Sequence, residues 1–244
     1  MAKAAILIDG GYFLRRLPTV RPDIDETDVD AVVRSVGQLI QGHLQQLQEV
    51  HTVPNHFQLL YRTFYYDARP YEQKAQTPVG RQPINYAQSR QARFRNSLFG
   101  ALHGFPNLAV RLGEVRKNSD RSWILKANPQ KDLLDGSIGV SDLTDKDFIP
   151  ALRQKGVDMR VGLDIASITL KRQANVIILV AGDADFVPAA KLARREGVQF
   201  ILDPLWQNVP RDLLEHVDGL RSGFYKPRGR TRPSDDPDGD SSVQ

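Results

Sequence analysis

The apolar positions of this chain fall into two kinds of pattern. Short unbroken runs bounded by turn residues predict buried strands. Such runs occur in "AAILID" (4–9), "NVIILVAG" (175–182) and "VQFILD" (198–203). The core of the second, "VIILV", has no polar alternation, as expected of a central strand covered on both faces. "FQLLYRTFYYDA" (57–68) has the aromatic and leucine content of a further strand. "LAVRLGEV" (108–115) and "SWILKA" (122–127) are also strand-like, and "RKNSDR" between them predicts a hairpin. Helical spacing marks the second pattern. Val29, Val32, Val33, Val36, Leu39, Ile40, Leu44 and Leu47 recur at intervals of three and four, which predicts a helix over 28–50. Ala87, Phe94, Leu98 and Leu102 form a stripe on a helix over 85–102. "DMRVGLDIASITLKRQ" (158–173) and "DFVPAAKLARREG" (185–197) read as helices, the latter stopped by Gly197. "DKDFIPALRQKG" (145–156) reads as a helix interrupted by Pro150, and 128–144 as an irregular loop.

Strands alternating with helices imply parallel crossovers. The expected fold class is α/β, a three-layer α/β/α Rossmann-like architecture with a mostly parallel sheet. The expected organisation is one domain over 1–225 with an insertion around 62–150. The segment 226–244, nearly devoid of apolar residues, is expected to be a disordered tail. No internal repeat of solenoid period is present.

Composition narrows the setting. The 244 residues, 41% of them hydrophobic, suffice for one large core. The absence of cysteine excludes disulfides and thiolate metal sites and points to a reducing cytoplasm. The start "MAKAAILIDGGYF" lacks a signal-peptide layout. No window approaches the roughly 20 apolar residues of a membrane helix. The expectation is a soluble cytoplasmic protein without a membrane partner. A net charge of +4 is compatible with a polyanionic partner without demonstrating one. The five histidines (His43, His51, His56, His103, His216) form no ligand pattern. Neither a P-loop nor a nucleophile elbow is present.

The acids carry the candidate chemistry. In an open parallel sheet, ligands bind outside the carboxyl ends of the strands. Asp9 ends the first expected strand, Asp183 and Asp185 follow "VIILV", and Asp158 opens a helix after Gly156. With parallel strands, these positions share one edge of the sheet. Clustered carboxylates repel, and a divalent cation is the usual compensation. Oxygen ligands suit Mg²⁺, and the lack of a His or Cys cluster near these acids argues against zinc. A metal so held can activate water against a phosphodiester. A plainer reading stands beside this: Asp183 caps the helix containing Pro188, and Asp9-Gly10-Gly11 is an ordinary strand-to-helix turn.

"ILIDGGYF", "KGVDMRVGLDIASITLK" and "VIILVAGDADFVPAAKLARREGVQFIL" together resemble the NYN domain family, a branch of the PIN-like nuclease superfamily that includes LabA-like bacterial proteins. The resemblance implies a Rossmann-like fold and a Mg²⁺- or Mn²⁺-dependent ribonuclease. Matched by position, Asp9, Asp158, Asp183 and Asp185 are the implied catalytic and metal-binding acids. Asp164 matches a recurring acid of less defined role, about 120° around the helix from Asp158, as a second-shell or packing residue. Many relatives carry D-G-x-N after the first strand; here Tyr12 stands in place of the amide.

Gly10 and Gly11 permit close backbone approach to a phosphate at the following helix start. Arg15, Arg16, Arg90 and Arg93, with Tyr86 and Trp123, are candidates for single-stranded RNA contact, with simple solvation an equal reading for the arginines. Phe94 fits the apolar stripe and is assigned to the core. The leading expectation is thus a metal-dependent endoribonuclease acting on RNA. The alternative is a non-catalytic RNA- or protein-binding regulatory module, and a homodimer is compatible with either. A haloacid-dehalogenase-type phosphatase is disfavoured, since Asp9 lacks the following Asp and Thr of such a site.

Overall fold

The computed structural model describes residues 3–118 and 120–226. Residues 227–244, most of the tail expected to be disordered, lie outside the described residues. Strand β1 (Ala4–Asp9) runs directly into helix α1 (Gly10–Val20), followed by α2 (Val29–Val50). Next come β2 (Leu60–Arg69), the short strands β3 (Lys74–Gln76) and β4 (Pro83–Asn85), then α3 (Arg90–His103) and β5 (Leu108–Lys117). Strand β6 (Trp123–Leu125), helix α4 (Ala127–Leu134), β7 (Phe148–Pro150) and β8 (Leu152–Lys155) complete the first part. The remainder is α5 (Val157–Leu170), β9 (Val176–Val180), α6 (Val187–Arg195), β10 (Gln199–Asp203), α7 (Arg211–Leu214) and β11 (Gly219–Leu220).

Seven strands form the main sheet in the order β11-β10-β9-β1-β2-β5-β8. All pairings are parallel except β5 with β8. The protein is therefore mixed α/β with a mostly parallel sheet. The side-chain alternation of a strand explains how β1 serves two cores. Ala4, Ile6 and Ile8 pack with Phe13 and Leu17 of α1, Val36 and Leu39 of α2, and Leu98 and Leu102 of α3. Ala5 and Leu7 pack with Val161 and Ile165 of α5 and Ala190 and Ala193 of α6. Strand β9 is buried along its whole length, as its unbroken apolar run requires. The α2 stripe is buried at Val32, Val36, Leu39, Ile40, Leu44 and Leu47, and Asp28 caps the helix by accepting the Asp30 N–H. Phe94 packs against the first core, as its place in the stripe predicts. Ala87, by contrast, lies in a 3₁₀ turn ahead of α3.

The stretch 116–156 departs from the sequence reading. Among the described residues, β5 and β6 do not pair as a hairpin. Strand β5 instead pairs with β2 and β8, and β6 pairs antiparallel with β7. Residues 145–156 are not helical: they hold a 3₁₀ turn, β7 and β8. Pro150, which denies the ladder an N–H, ends β7. The expected loop over 128–144 contains most of α4. Pro129 falls in the first turn of α4, where a missing N–H does no harm. The two errors that concern strands share a cause. These elements are short and half-exposed, so their identity comes from pairing partners distant in sequence rather than from local periodicity.

Candidate functional site

Parallel pairing places the carboxyl ends of β9, β1 and β2 together. Ile8 stands opposite Val180, and Asp9 opposite Tyr66. Asp9 therefore leaves the sheet beside the turn carrying Asp183 and Asp185, with Asp67 one residue further along β2. Asp158 arrives from elsewhere. Gly156 adopts φ 76°, a left-handed value that favours glycine, and turns the chain from β8 into α5, whose first turn carries Asp158.

The capping roles are present. Asp9 Oδ1 accepts the Tyr12 N–H at 3.0 Å and so caps α1. Asp183 Oδ1 accepts the Asp185 N–H at 3.1 Å, just ahead of Pro188 in α6. The electrostatics exceed what caps require. Burial pushes the Asp9 carboxyl above its ordinary value; the Tyr12 N–H opposes this, the negative charge of Asp158 adds to it, and Arg15 opposes it again. Asp158 is raised by desolvation first, then by Asp183 and by Asp185. Asp158 thus interacts with Asp9, Asp183 and Asp185. Asp158, Asp183 and Asp185 are exposed and Asp9 is half-buried. Among the described residues, no group of three His, Cys, Asp or Glu is disposed to hold a metal ion with the side chains as they lie.

The remaining candidates are distributed differently. Asp164 accepts the Tyr66 hydroxyl at 2.8 Å and pairs with Arg111 at 3.2 Å, which ties α5 to β2 and β5. Gly10 is held by packing: a Cβ there would lie 2.5 Å from the Tyr65 ring. Gly11 is half-buried beside Asp9. Tyr12 is buried, donates its hydroxyl to the Pro204 carbonyl at 2.6 Å, and leaves no room for a Cβ at Gly182. Burial pushes its hydroxyl up to about 12. It fastens the β10 exit to α1. Arg15 is exposed near Asp9, whereas Arg16 donates to the Leu205 carbonyl at 2.9 Å. Arg90 and Arg93 are exposed on α3, Arg90 facing Asp25.

Sequence reasoning missed Asp67. It is 1% exposed, accepts the Ala68 N–H at 2.7 Å, and forms an ion pair with Arg95. Its carboxyl is raised by burial, lowered by Arg95, and raised by the charge of Asp9. Tyr65, fully buried, responds to Asp67, Arg95 and Asp9, and its hydroxyl has no hydrogen-bond partner. The rule that found Asp9, an acid at the carboxyl end of an apolar strand, would have found Asp67 in "FYYDA" as well.

Fold and site define a mixed α/β protein with an acidic edge on a mostly parallel sheet. Within that class, residues 116–220 match the family model described as the NYN domain, the family that the sequence motifs resemble. The match contains Asp158, Asp164, Asp183 and Asp185. No curated protein matches the chain. Among solved structures, a Vibrio parahaemolyticus protein of unknown function is similar at 16% identity, over 91% of this chain and 95% of its own, with a TM-score of 0.41. A structure described as Sir2 with a p53 peptide and NAD⁺ is similar at 10% identity, over 89% of this chain and 86% of its own, with a TM-score of 0.29. Both are too distant for anything to be carried from them to this chain. Among the described residues, no helix is long and apolar enough to cross a membrane.

Proposed function

We propose that the chain is a Mg²⁺- or Mn²⁺-dependent ribonuclease, built as one PIN-like three-layer α/β/α domain over 1–225 with an insertion around 62–150. The observation that carries this reading is the charge interaction that links Asp158 to Asp9 on one side and to Asp183 and Asp185 on the other, acids from three segments distant in sequence. The NYN match over the segment holding three of them supports it. The donor set fits a hard cation: it consists of carboxylates, and the chain has no cysteine. Asp9, Asp158 and Asp183 would hold the ion, and Asp185 would complete the site or position water. The bound ion would supply charge neutralisation at the phosphodiester and an acidified water. In-line attack would leave a 5′-phosphate and a 3′-hydroxyl. RNA is the proposed partner and the cytoplasm the proposed setting, with a homodimer compatible with both.

The test is cleavage of a broad RNA set with Mg²⁺ or Mn²⁺ by the wild type, Asp9→Asn and Asp183→Asn. Loss of cleavage in both variants supports the reading, and an inert wild type removes it. One observation favours a second reading, a non-catalytic RNA- or protein-binding module. Tyr12 fills the family's amide position with a buried packing residue. RNA binding that ignores added metal, without cleavage, would select that reading.

A further inference from the structure

The insertion has chemistry of its own. Tyr71 and Tyr86 meet edge to face, ring centroids 5.3 Å apart at 69°. Both are half-buried. On one side of this pair lies a cavity of about 420 Å³, with Asp67, Arg95, Gln91 and Gln154 in its walls. On the other lies one of about 160 Å³, walled by Trp123, Lys74 and Lys117. A third, of about 650 Å³, also borders Tyr71 and carries Arg69, Asn96 and Lys117. All three cavities share Tyr71 in their walls, the first two also sharing Tyr86, Pro150 and Leu152, and together they are treated as one trough. Their walls also carry the cations Arg69, Lys74 and Lys117, all exposed. One wall is Asp67, the acid that interacts with Asp9.

We propose that this trough binds single-stranded RNA, seating a base against the Tyr71–Tyr86 pair and a neighbouring base near Trp123, with phosphates on Lys74 and Lys117. The inference rests on the ribonuclease reading for its choice of RNA. Aromatic faces and amides accept a base without fixing its identity, while exposed cations follow the backbone. A cavity of about 420 Å³ lies within the range of roughly 300–1,000 Å³ usual for small-molecule sites. Tyr71 and Tyr86 precede the NYN match, which begins at residue 116. Lys117 and Trp123 fall within that match, so the site joins residues on both sides of its start.

The experiment uses the full chain and a ten-nucleotide single-stranded RNA carrying one 2-aminopurine, titrated in EDTA so that no cleavage intrudes. Tyr86→Ala is expected to weaken binding about tenfold and to restore 2-aminopurine emission, whereas Tyr86→Phe, which keeps the ring, stays within about twofold. The double charge reversal Lys74→Glu with Lys117→Glu is expected to weaken binding and flatten its salt dependence. It also supplies a surface variant should Tyr86→Ala fold poorly. Wild-type affinity in Tyr86→Ala, Trp123→Ala and the double reversal alike, or no binding by the wild type, overturns the trough. Cleavage with Mn²⁺ is scored separately. Binding lost in these variants without any cleavage sinks only the ribonuclease reading. Cleavage with unaltered binding in the variants sinks only the trough.

Discussion

Arg95→Met removes the guanidinium that faces Asp67 while keeping most of the side chain's volume. Asp67 is 1% exposed and Arg95 19% exposed in its side chain. Breaking a buried pair from one side leaves an uncompensated charge, at about 3–5 kcal/mol. Arg95 retains some solvent, so the lower end, about 3 kcal/mol, applies at neutral pH. For a chain of this size that is a fall in Tm of about 6–12 °C. The pH dependence identifies the cause. Burial already raises the Asp67 carboxyl above its ordinary 3.8, and Arg95 opposes this; without Arg95 it rises further. A carboxyl raised in the folded state holds its proton more tightly there than when unfolded. Between the unfolded value and the folded one, the native state binds more protons, so stability falls as pH rises. The deficit of Arg95→Met should therefore be small near the unfolded value, about pH 4, and grow as pH rises through the folded one. Adding Asp67→Asn removes the charge but keeps an acceptor for the Ala68 N–H, and should recover most of the loss at neutral pH. The assay is urea unfolding across that range. An equal deficit at all pH values, or no recovery in the double variant, would refute a buried charge as the cause.

Two further expectations concern the same edge. Asp158→Asn removes a carboxyl raised by burial and by Asp183 and Asp185. By the same sign, it should melt no lower than the wild type at neutral pH while losing cleavage, and it should lose most of the stabilisation that saturating Mn²⁺ gives the wild type, about 2.7 kcal/mol at a hundredfold excess over Kd. A clear drop in its Tm without metal would contradict the repulsion. Gly10→Ala places a Cβ 2.5 Å from the fully buried Tyr65 ring. It should cost about 1–3 kcal/mol in denaturant unfolding; wild-type stability would show that the ring can move.

Much of the frame was legible in the chain. "AAILID", "VIILV" and "QFILD" are strands because unbroken apolar runs have nowhere to go but a sheet covered on both faces. The stripe of α2 and the Gly197 stop are local and were read directly, Gly197 having a φ of 80°. Asp9, Asp158, Asp183 and Asp185 were found because a strand's end or a helix's start is a local event, and parallel order then follows from the alternation of elements. The stretch 116–156 was misread because β6, β7 and β8 are three or four residues long and mostly polar or half-buried. Such strands exist only through their partners.

What the sequence determined by itself is the covered parallel sheet and the acids along its chain, since burial of apolar surface acts on every residue locally. Only the tertiary structure decided which acid meets which neighbour. Asp164 is engaged by Tyr66 and Arg111, Asp67 by Arg95, and Tyr12 by the Pro204 carbonyl. Charge and hydrogen-bond partners are chosen by distance in space, and residues 98 or 192 positions apart in the chain carry no local signal of the pairing.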